Sequence, residues 1–385
     1  MNTTAPYRLL YIVTGLRIGG AETVLYNLVS NLDRREFEPA VITLGQNGPL
    51  GKKIEEAGVS VISLGFHAGV PHPRLIIDLA VAIRRLQPHL IQTWMYHADL
   101  VGGLAAYLVG ALPVVWGIRH TLTSVRSLKP VTRAVVGFNA LLSHVIPSRI
   151  ICCAESARES HIRLGFSRKK MLVIPNGFDL VAFRPQPEAR LSVRYELGLE
   201  DHAILIGLGA RFAAEKDHAT FVRAAAILSR QMHDVYFILW GKDVDWTNPA
   251  LTAWINDSGA SHRFRLLGIR TDVARLLAAL DVYSISSVSE AFPNSVGEAM
   301  ACGVPCAVTN AGDAAWLVGE TGITVPPRNP QALAEAWKRL LVMTPAERAA
   351  LGMSARQRIE TCFSLPVMVA AYSRTYRDIL SAHSG

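Results

Sequence analysis

The chain has 385 residues, 50% of them apolar and 18% charged, a globular composition at a length beyond the ~250–300 residues where one core usually divides. Its five cysteines (Cys152, Cys153, Cys302, Cys306, Cys362) are odd in number and form no CxxC pair, which speaks against a disulfide framework or zinc ribbon and for a reducing cytoplasm. The net charge of +8 is lopsided: residues 1–180 hold 19 Lys+Arg against 11 Asp+Glu, and residues 181–385 hold 20 of each, so a basic surface belongs to the first half, and no accompanying motif points to nucleic acid.

Residues 1–6 lack the basic and apolar regions of a signal peptide, so none is expected. Strand-like runs then alternate with helical patterns, at 9–13, 40–43, 59–64, 90–93, 114–116 and 150–153, and again at 204–207, 236–240, 264–267, 282–286 and 306–309. This βαβα rhythm predicts two doubly wound, Rossmann-like α/β domains with parallel sheets. Residues 176–187, rich in Pro and Gly, read as the linker. The expected domains are therefore 1–180 and 181–365, followed by an amphipathic helix over 366–385 that packs back toward the first domain. Ligands of such sheets bind at the carboxyl ends of the strands, so the two domains are expected to face each other across a cleft.

The apolar run 100–118 approaches the ~18 residues of a membrane span, but Gly102, Gly103, Gly110 and Pro113 divide it into a helix and a strand. Between Asp99 and Glu155 there is no acidic residue, while Arg119, Arg126, Lys129, Arg133 and Arg149 occur among Leu, Val and Phe. Such a surface attracts anionic lipid or a diphosphate-bearing acceptor. An ordinary basic face on a buried helix pair fits the same residues, and both readings stand.

The first strand ends in Gly19-Gly20-Ala21-Glu22. Paired glycines at a strand-to-helix turn let the backbone approach a ligand, although many such turns carry Gly-Gly for steric reasons alone. Neither this turn nor Gly207-Leu208-Gly209 completes GxGxxG, so a dinucleotide site is unsupported. After the strand at 204–207, Arg211 and Lys216 stand in the loop entering a helix. There they can clamp a diphosphate and take up leaving-group charge without a metal, or pair as solvated charges with Glu215 and Asp217. Asp243-Val244-Asp245 has the form of a DxD metal motif, but surface capping is the better reading of it.

Residues 289–305 are the most informative. Glu290 and Glu298 are eight residues apart across a loop-to-helix junction; Pro293 suits the helix start, Asn294 or Ser295 a cap, and Gly303 and Pro305 the stop. A helix N-terminus behind a strand is an anion site. Carboxylates beside it call for hydroxyl partners, and a ligand with both phosphates and hydroxyls is a nucleotide sugar.

The ordered set of GGAE (19–22), PNGFD (175–179), GARFAAEK (209–216), GIRTDV (268–273), E-x7-E (290–298) and TGITVPP (321–327) resembles the retaining, GT-B fold glycosyltransferases of family 4, over residues 8 to about 380. The resemblance implies transfer of a hexosyl unit from a nucleoside diphosphate sugar to an acceptor hydroxyl, without cofactor or metal. Arg211 and Lys216 would bind the diphosphate, Glu298 the ribose and Glu290 the donor sugar. The backbone of Ala291, Phe292, Pro293, Asn294 and Ser295, with N–H donors at all but the proline, would hold sugar and phosphate, with Gly19 and Gly20 also on the donor and Arg270 and its neighbours at the base. His120 matches the place of the active-site histidine, with His97 as its rival; His97, Asp99 and Arg119 are acceptor candidates, and Asp99 also suits a helix cap.

Where many relatives carry a glycine pair and a glutamate after the strand at 306–309, this chain has Ala311-Gly312-Asp313. The implied setting is bacterial O-antigen, capsule or exopolysaccharide (lipopolysaccharide-type) assembly on a polyprenyl-diphosphate glycan, in the cytoplasm or at the inner-membrane surface. The rivals are a nucleotide-sugar 2-epimerase of the same architecture and a catalytically silent partner in a glycan-assembly complex.

Overall fold

The computed structural model describes residues 5–66, 73–110, 112–122 and 128–384; Arg126 lies outside them. The chain forms two compact units, one of Met1–Gly177 with Leu365–Gly385 and one of Phe178–Ser364.

The first unit runs β1 (Tyr7–Val13), α1 (Gly20–Asn31), β2 (Phe37–Thr43), α2 (Pro49–Glu56), β3 (Ser60–Ser63), α3 (Pro73–Leu86), β4 (Leu90–Trp94), α4 (Tyr96–Val109), β5 (Val114–Ile118), α5 (Pro130–Leu142), β6 (Arg149–Cys152), α6 (Glu155–Arg163) and β7 (Met171–Val173). Its sheet is parallel throughout, in the order β3-β2-β1-β4-β5-β6-β7.

The second unit runs α7 (Pro187–Glu196), β8 (Ile204–Gly209), α8 (His218–Ser229), β9 (Val235–Trp240), α9 (Pro249–Asp257), β10 (Phe264–Leu266), α10 (Val273–Ala278), β11 (Val282–Ile285), α11 (Asn294–Ala301), β12 (Cys306–Thr309), α12 (Ala314–Val318), β13 (Gly322–Val325), α13 (Pro330–Leu341) and α14 (Pro345–Cys362). It has six parallel strands, β10-β9-β8-β11-β12-β13. The last helix, α15 (Leu365–Ser384), belongs to the first unit.

Central strands of parallel sheets are covered on both faces and so read as unbroken apolar runs. β4, β5, β11 and β12 are buried along their whole length. Among the helices, α2, α5, α7, α9, α13 and α14 open with Pro, whose missing N–H costs nothing in the first turn. Strand order reverses between β1 and β4 in one unit and between β8 and β11 in the other. Those reversals are where the crevices of open α/β sheets lie. Among the described residues no helix is long and apolar enough to cross a membrane; the run at 100–118 is α4 and β5.

Helix α15 completes the first core. Tyr372 and Tyr376 are fully buried, worth roughly 1.5–3 kcal/mol each. The Tyr376 hydroxyl donates to Gln92 at 3.2 Å and the Tyr372 ring stacks on Trp94 at 6.3 Å. Arg119 donates to the Tyr372 hydroxyl at 3.0 Å and to Asn176, and lies 4.6 Å over the Trp94 ring. This corrects the expectation for Arg119: its guanidinium is built into the interior and presents nothing to an acceptor.

The second unit carries a buried ion pair. Asp281 accepts from Arg194 at 2.7 Å, from Arg190 at 2.8 Å and from the Leu205 amide at 2.9 Å. The Arg194 side chain is wholly buried, and its other donors reach the Ala203 and Ala279 carbonyls. The pair fastens α7 to the sheet. The two ends of this unit meet, with the Phe178 amide donating to the Phe363 carbonyl at 2.9 Å.

Candidate active site

In the second unit, the loops after β8 and β11 flank the reversal. The Val288 amide donates to the Glu215 carbonyl at 2.9 Å and the Ser286 hydroxyl to the Lys216 carbonyl at 2.9 Å, so the two loops are held as one surface. Across them Lys216 pairs with Glu290 at 2.6 Å, and Ser287 donates to the same carboxylate oxygen at 2.6 Å. Arg211 pairs with Glu215, and its side chain stays largely exposed. Charges free to exchange partners at a strand end can transfer their hydrogen bonds to a phosphate.

Arg211, Arg270, Ser295 and Glu298 line one open depression of about 260 Å³, together with the backbone of Gly209 and Gly241 and the side chains of Trp240 and Ile269. Gly241, at φ +143°, lets β9 close against β8: a Cβ there would sit 2.2 Å from the Ala210 carbonyl oxygen. Tyr283 fixes the β8 end from below, its hydroxyl receiving the Gly209 amide at 3.2 Å. Helix α11 opens at Asn294 with Pro293 in the N-cap position. The expectation of Asn294 or Ser295 in the cap position is corrected: Pro293 occupies it, and its ring has no group with which to cap the helix.

Phe292 anchors the preceding loop instead, stacking on Phe178 at 6.1 Å and packing against Phe363. Gly312, at φ +57°, lets the next loop touch it, since a Cβ would meet the Glu290 carbonyl oxygen at 2.3 Å. The Asp313 amide donates to the Ala291 carbonyl at 2.9 Å. The altered segment 311–313 thus shapes the Glu290 loop through its backbone.

Glu298 is half-buried, and among the described residues its carboxyl makes no hydrogen bond or ion pair; burial pushes it up to about 7. A carboxyl kept without a partner on the wall of a depression awaits a donor from outside, and vicinal hydroxyls fit it. Arg270 differs from expectation. Asp272 grips it by two bonds of 2.8 Å and Glu196 by one of 2.7 Å, which raise its affinity for the proton further. With the guanidinium held by these carboxylates, Ile269, 73% exposed, is left as the flat apolar platform at that edge. Ile269 belongs to the neighbourhood of Arg270 expected at the base, whereas Trp240 and Gly241 went unnoticed in the sequence, and the only signal for them was their place at the carboxyl end of β9.

In the first unit, α1 starts at Gly20 with Gly19 extended at its N-cap, next to the β1/β4 reversal. His97 and Asp99 lie in the first turn of α4 and His120 follows β5. Burial lowers His120 to about 4, so it is neutral near pH 7, and its ring meets Tyr96 edge-on at 4.9 Å. Tyr96 is held in turn by His161, at 2.5 Å. His97 is half-buried, also lowered by burial, and its Nε2 has no partner among the described residues. Asp99 is wholly buried, accepts from Thr93 at 2.5 Å and is pushed up to about 8 by burial. This corrects its acceptor role: it is an internal group of the β4–α4 turn.

In the DxD-like segment, Asp245 accepts from the Thr247 amide at 2.9 Å, an ordinary turn closure. Among the described residues no three His, Cys, Asp or Glu side chains cluster as a metal site.

Comparison with known proteins bears on the fold and the family. The fold is similar to that of HepE from Anabaena, solved with UDP, at TM-score 0.84 and 22% identity over 96% of this chain and 100% of that one. It is likewise similar to sucrose-phosphate synthase from Thermosynechococcus elongatus, at TM-score 0.78 and 21% identity over 98% and 100%. In sequence it is 27% identical over 241 residues to the Escherichia coli UDP-Gal:alpha-D-GlcNAc-diphosphoundecaprenol alpha-1,3-galactosyltransferase, an alignment covering 61% of each protein and so less than two thirds of that enzyme.

It is 25% identical to the putative glycosyltransferase EpsF of Bacillus subtilis over 79% of each. It is also 26% identical, over 69% of this chain and 74% of the other, to the Campylobacter jejuni N,N'-diacetylbacillosaminyl-diphospho-undecaprenol alpha-1,3-N-acetylgalactosaminyltransferase. Residues 18–181 match the family described as Glycosyltransferase Family 4 and residues 203–342 the family described as Glycosyl transferases group 1. With both units matched, the chain belongs to the group 1, family 4 glycosyltransferases of GT-B fold.

Proposed function

We propose that this protein transfers a hexosyl unit from a nucleoside diphosphate sugar to a hydroxyl of a polyprenyl-diphosphate-linked glycan, with retention of anomeric configuration, in bacterial surface-polysaccharide assembly at the cytoplasmic face of the membrane. The observation that carries the reading is the Glu298 carboxyl, without a partner among the described residues, sharing a depression with Arg211 and with Ser295 of the first turn of α11. In this reading Glu298 accepts the ribose hydroxyls, the base lies against Ile269, and Arg211 and Lys216 bind the diphosphate. Glu290, already oriented by Ser287, turns its second oxygen to the sugar. His120 of the first unit contacts the transferred sugar as a neutral imidazole, Gly19 and Gly20 offer backbone N–H groups to the donor, and His97 serves the acceptor.

The acceptor oxygen forms its bond to the anomeric carbon on the face from which the diphosphate departs. The bond from that carbon to the phosphate oxygen breaks, and this oxygen takes the acceptor's proton. Charge building on the phosphate is met by Arg211, Lys216 and the α11 amides, so the step needs neither a protein nucleophile nor a metal. Two relatives named for undecaprenyl-diphosphate acceptors support the acceptor class.

A thermal-shift screen with UDP-, GDP-, ADP- and dTDP-sugars tests the donor half, because a bound donor stabilises by mass action. Transfer to a polyprenyl-diphosphate glycan, with the new linkage read by NMR, tests the rest. No stabilising nucleotide, an inverted linkage, or conversion of the donor with no acceptor present would each overturn the reading.

A further inference from the structure

We infer that the outer face of helices α3, α4 and α5 is a docking surface for an anionic lipid bilayer. These three helices pack side by side on one face of the first sheet. Helix α5 is apolar on two sides. Val135, Val136 and Ala140 face inward, while Val131, Ala134, Phe138 and Leu141, followed by Val145, recur at spacings of three and four and lie outside. Phe138 is 59% exposed, Leu141 72% and Val145 70%; Tyr107 and Leu108 at the end of α4 are 68% and 61% exposed. On α3, Ile77 and Val81 add one more exposed pair. Apolar side chains gathered on neighbouring helices, unlike singly scattered ones, mark a contact surface.

The charges say which contact. Between Asp78 and Glu155 the chain holds one acidic residue, Asp99, and that one is buried. The helix layer therefore carries almost no surface carboxylate beyond Asp78, which pairs with Arg74 on α3, while Arg84, Arg85 and Arg133 form no ion pair among the described residues. A second copy of the same face would set arginine against arginine. A bilayer with anionic headgroups over hydrocarbon matches both halves of the pattern: the apolar side chains enter the acyl boundary and the guanidiniums remain among the phosphates. The inference stands on this surface alone and does not depend on the donor or the chemistry proposed above.

Co-sedimentation of the full chain with phosphatidylglycerol–phosphatidylethanolamine vesicles, against phosphatidylcholine vesicles, tests it. Binding is expected to the anionic vesicles only and to weaken with salt. Removing Arg84 and Arg133 (Arg84→Ala, Arg133→Ala) should weaken it roughly fivefold per arginine, about 1 kcal/mol each. The pair Phe138→Ser and Leu141→Ser should weaken it at low salt as well. All four positions are exposed, so the fold is expected to survive and the melting temperature to stay put. Failure to bind either vesicle, equal binding to both, or a dimer in light scattering that Leu141→Ser dissolves would overturn the inference.

Discussion

Replacing Glu298 by Gln should make the protein more stable and worse at its work. The carboxyl sits half-buried without a partner, and burial pushes it to about 7 from an ordinary 4.5. A folded-state value raised in this way means that the unfolded chain loses its proton first. Stability is therefore full below about pH 4.5 and falls as pH climbs to about 7, where the folded state must carry a poorly solvated carboxylate. At ~1.36 kcal/mol per pH unit the interval sets a ceiling of roughly 3 kcal/mol, and solvent contact brings the expected cost to about 1–2 kcal/mol.

Glutamine keeps the shape and has no proton to lose. The variant should match the wild type in acid and melt higher at about pH 8, by roughly 2–4 °C per kcal/mol for a unit of this size. Its nucleotide response should move the other way. Ribose hydroxyls lose a charged acceptor worth roughly 1.5–3 kcal/mol, which is a tenfold or greater loss of affinity. Scanning fluorimetry from about pH 5 to about pH 8.5, with and without nucleoside diphosphate, reads both effects. A variant no more stable in alkali, or one that keeps the full nucleotide-induced rise, refutes the reasoning.

Arg211→Ala and Lys216→Ala should each cut turnover roughly 10²–10³-fold. Arg211→Ala should do so with melting nearly unchanged, because its ion pair is exposed and worth ~0–1 kcal/mol; single-turnover rates within a few-fold of wild type would remove both residues from the diphosphate. Asp281→Ala strands the buried Arg194 and should cost about 3–5 kcal/mol in urea unfolding. A loss under about 1 kcal/mol would mean that the site relaxes or fills with water. Arg119→Ala should loosen α15, lowering stability by about 1–3 kcal/mol and exposing the helix to limited proteolysis. An effect on acceptor affinity alone would restore Arg119 to the acceptor surface.

The architecture was legible because a parallel sheet buries its central strands on both faces, leaving apolar runs that anyone can count. The two strands that escaped notice, β7 and β13, are short edge strands, paired on one side and only partly buried, so their sequences carry little of that signal. In the site, charged residues announced themselves while their partners stayed hidden. Nothing in the order of residues says that Arg270 is spent on Asp272 and Glu196, or that Arg119 is folded under Tyr372 some 253 positions along the chain. Trp240 and Gly241 were invisible for another reason: they offer backbone and flat apolar surface, a kind of recognition that residue identity does not encode.

The course of the chain has a consequence for synthesis. The second unit is one uninterrupted stretch whose ends meet at Phe178 and Phe363, whereas the first needs Tyr372 and Tyr376 to fill its core. On the ribosome the unit encoded second therefore emerges entire while the unit encoded first still lacks its last helix. Until α15 arrives, the surfaces around Trp94 and Tyr11 stay open, and it is the nascent amino-terminal half that would engage chaperones longest.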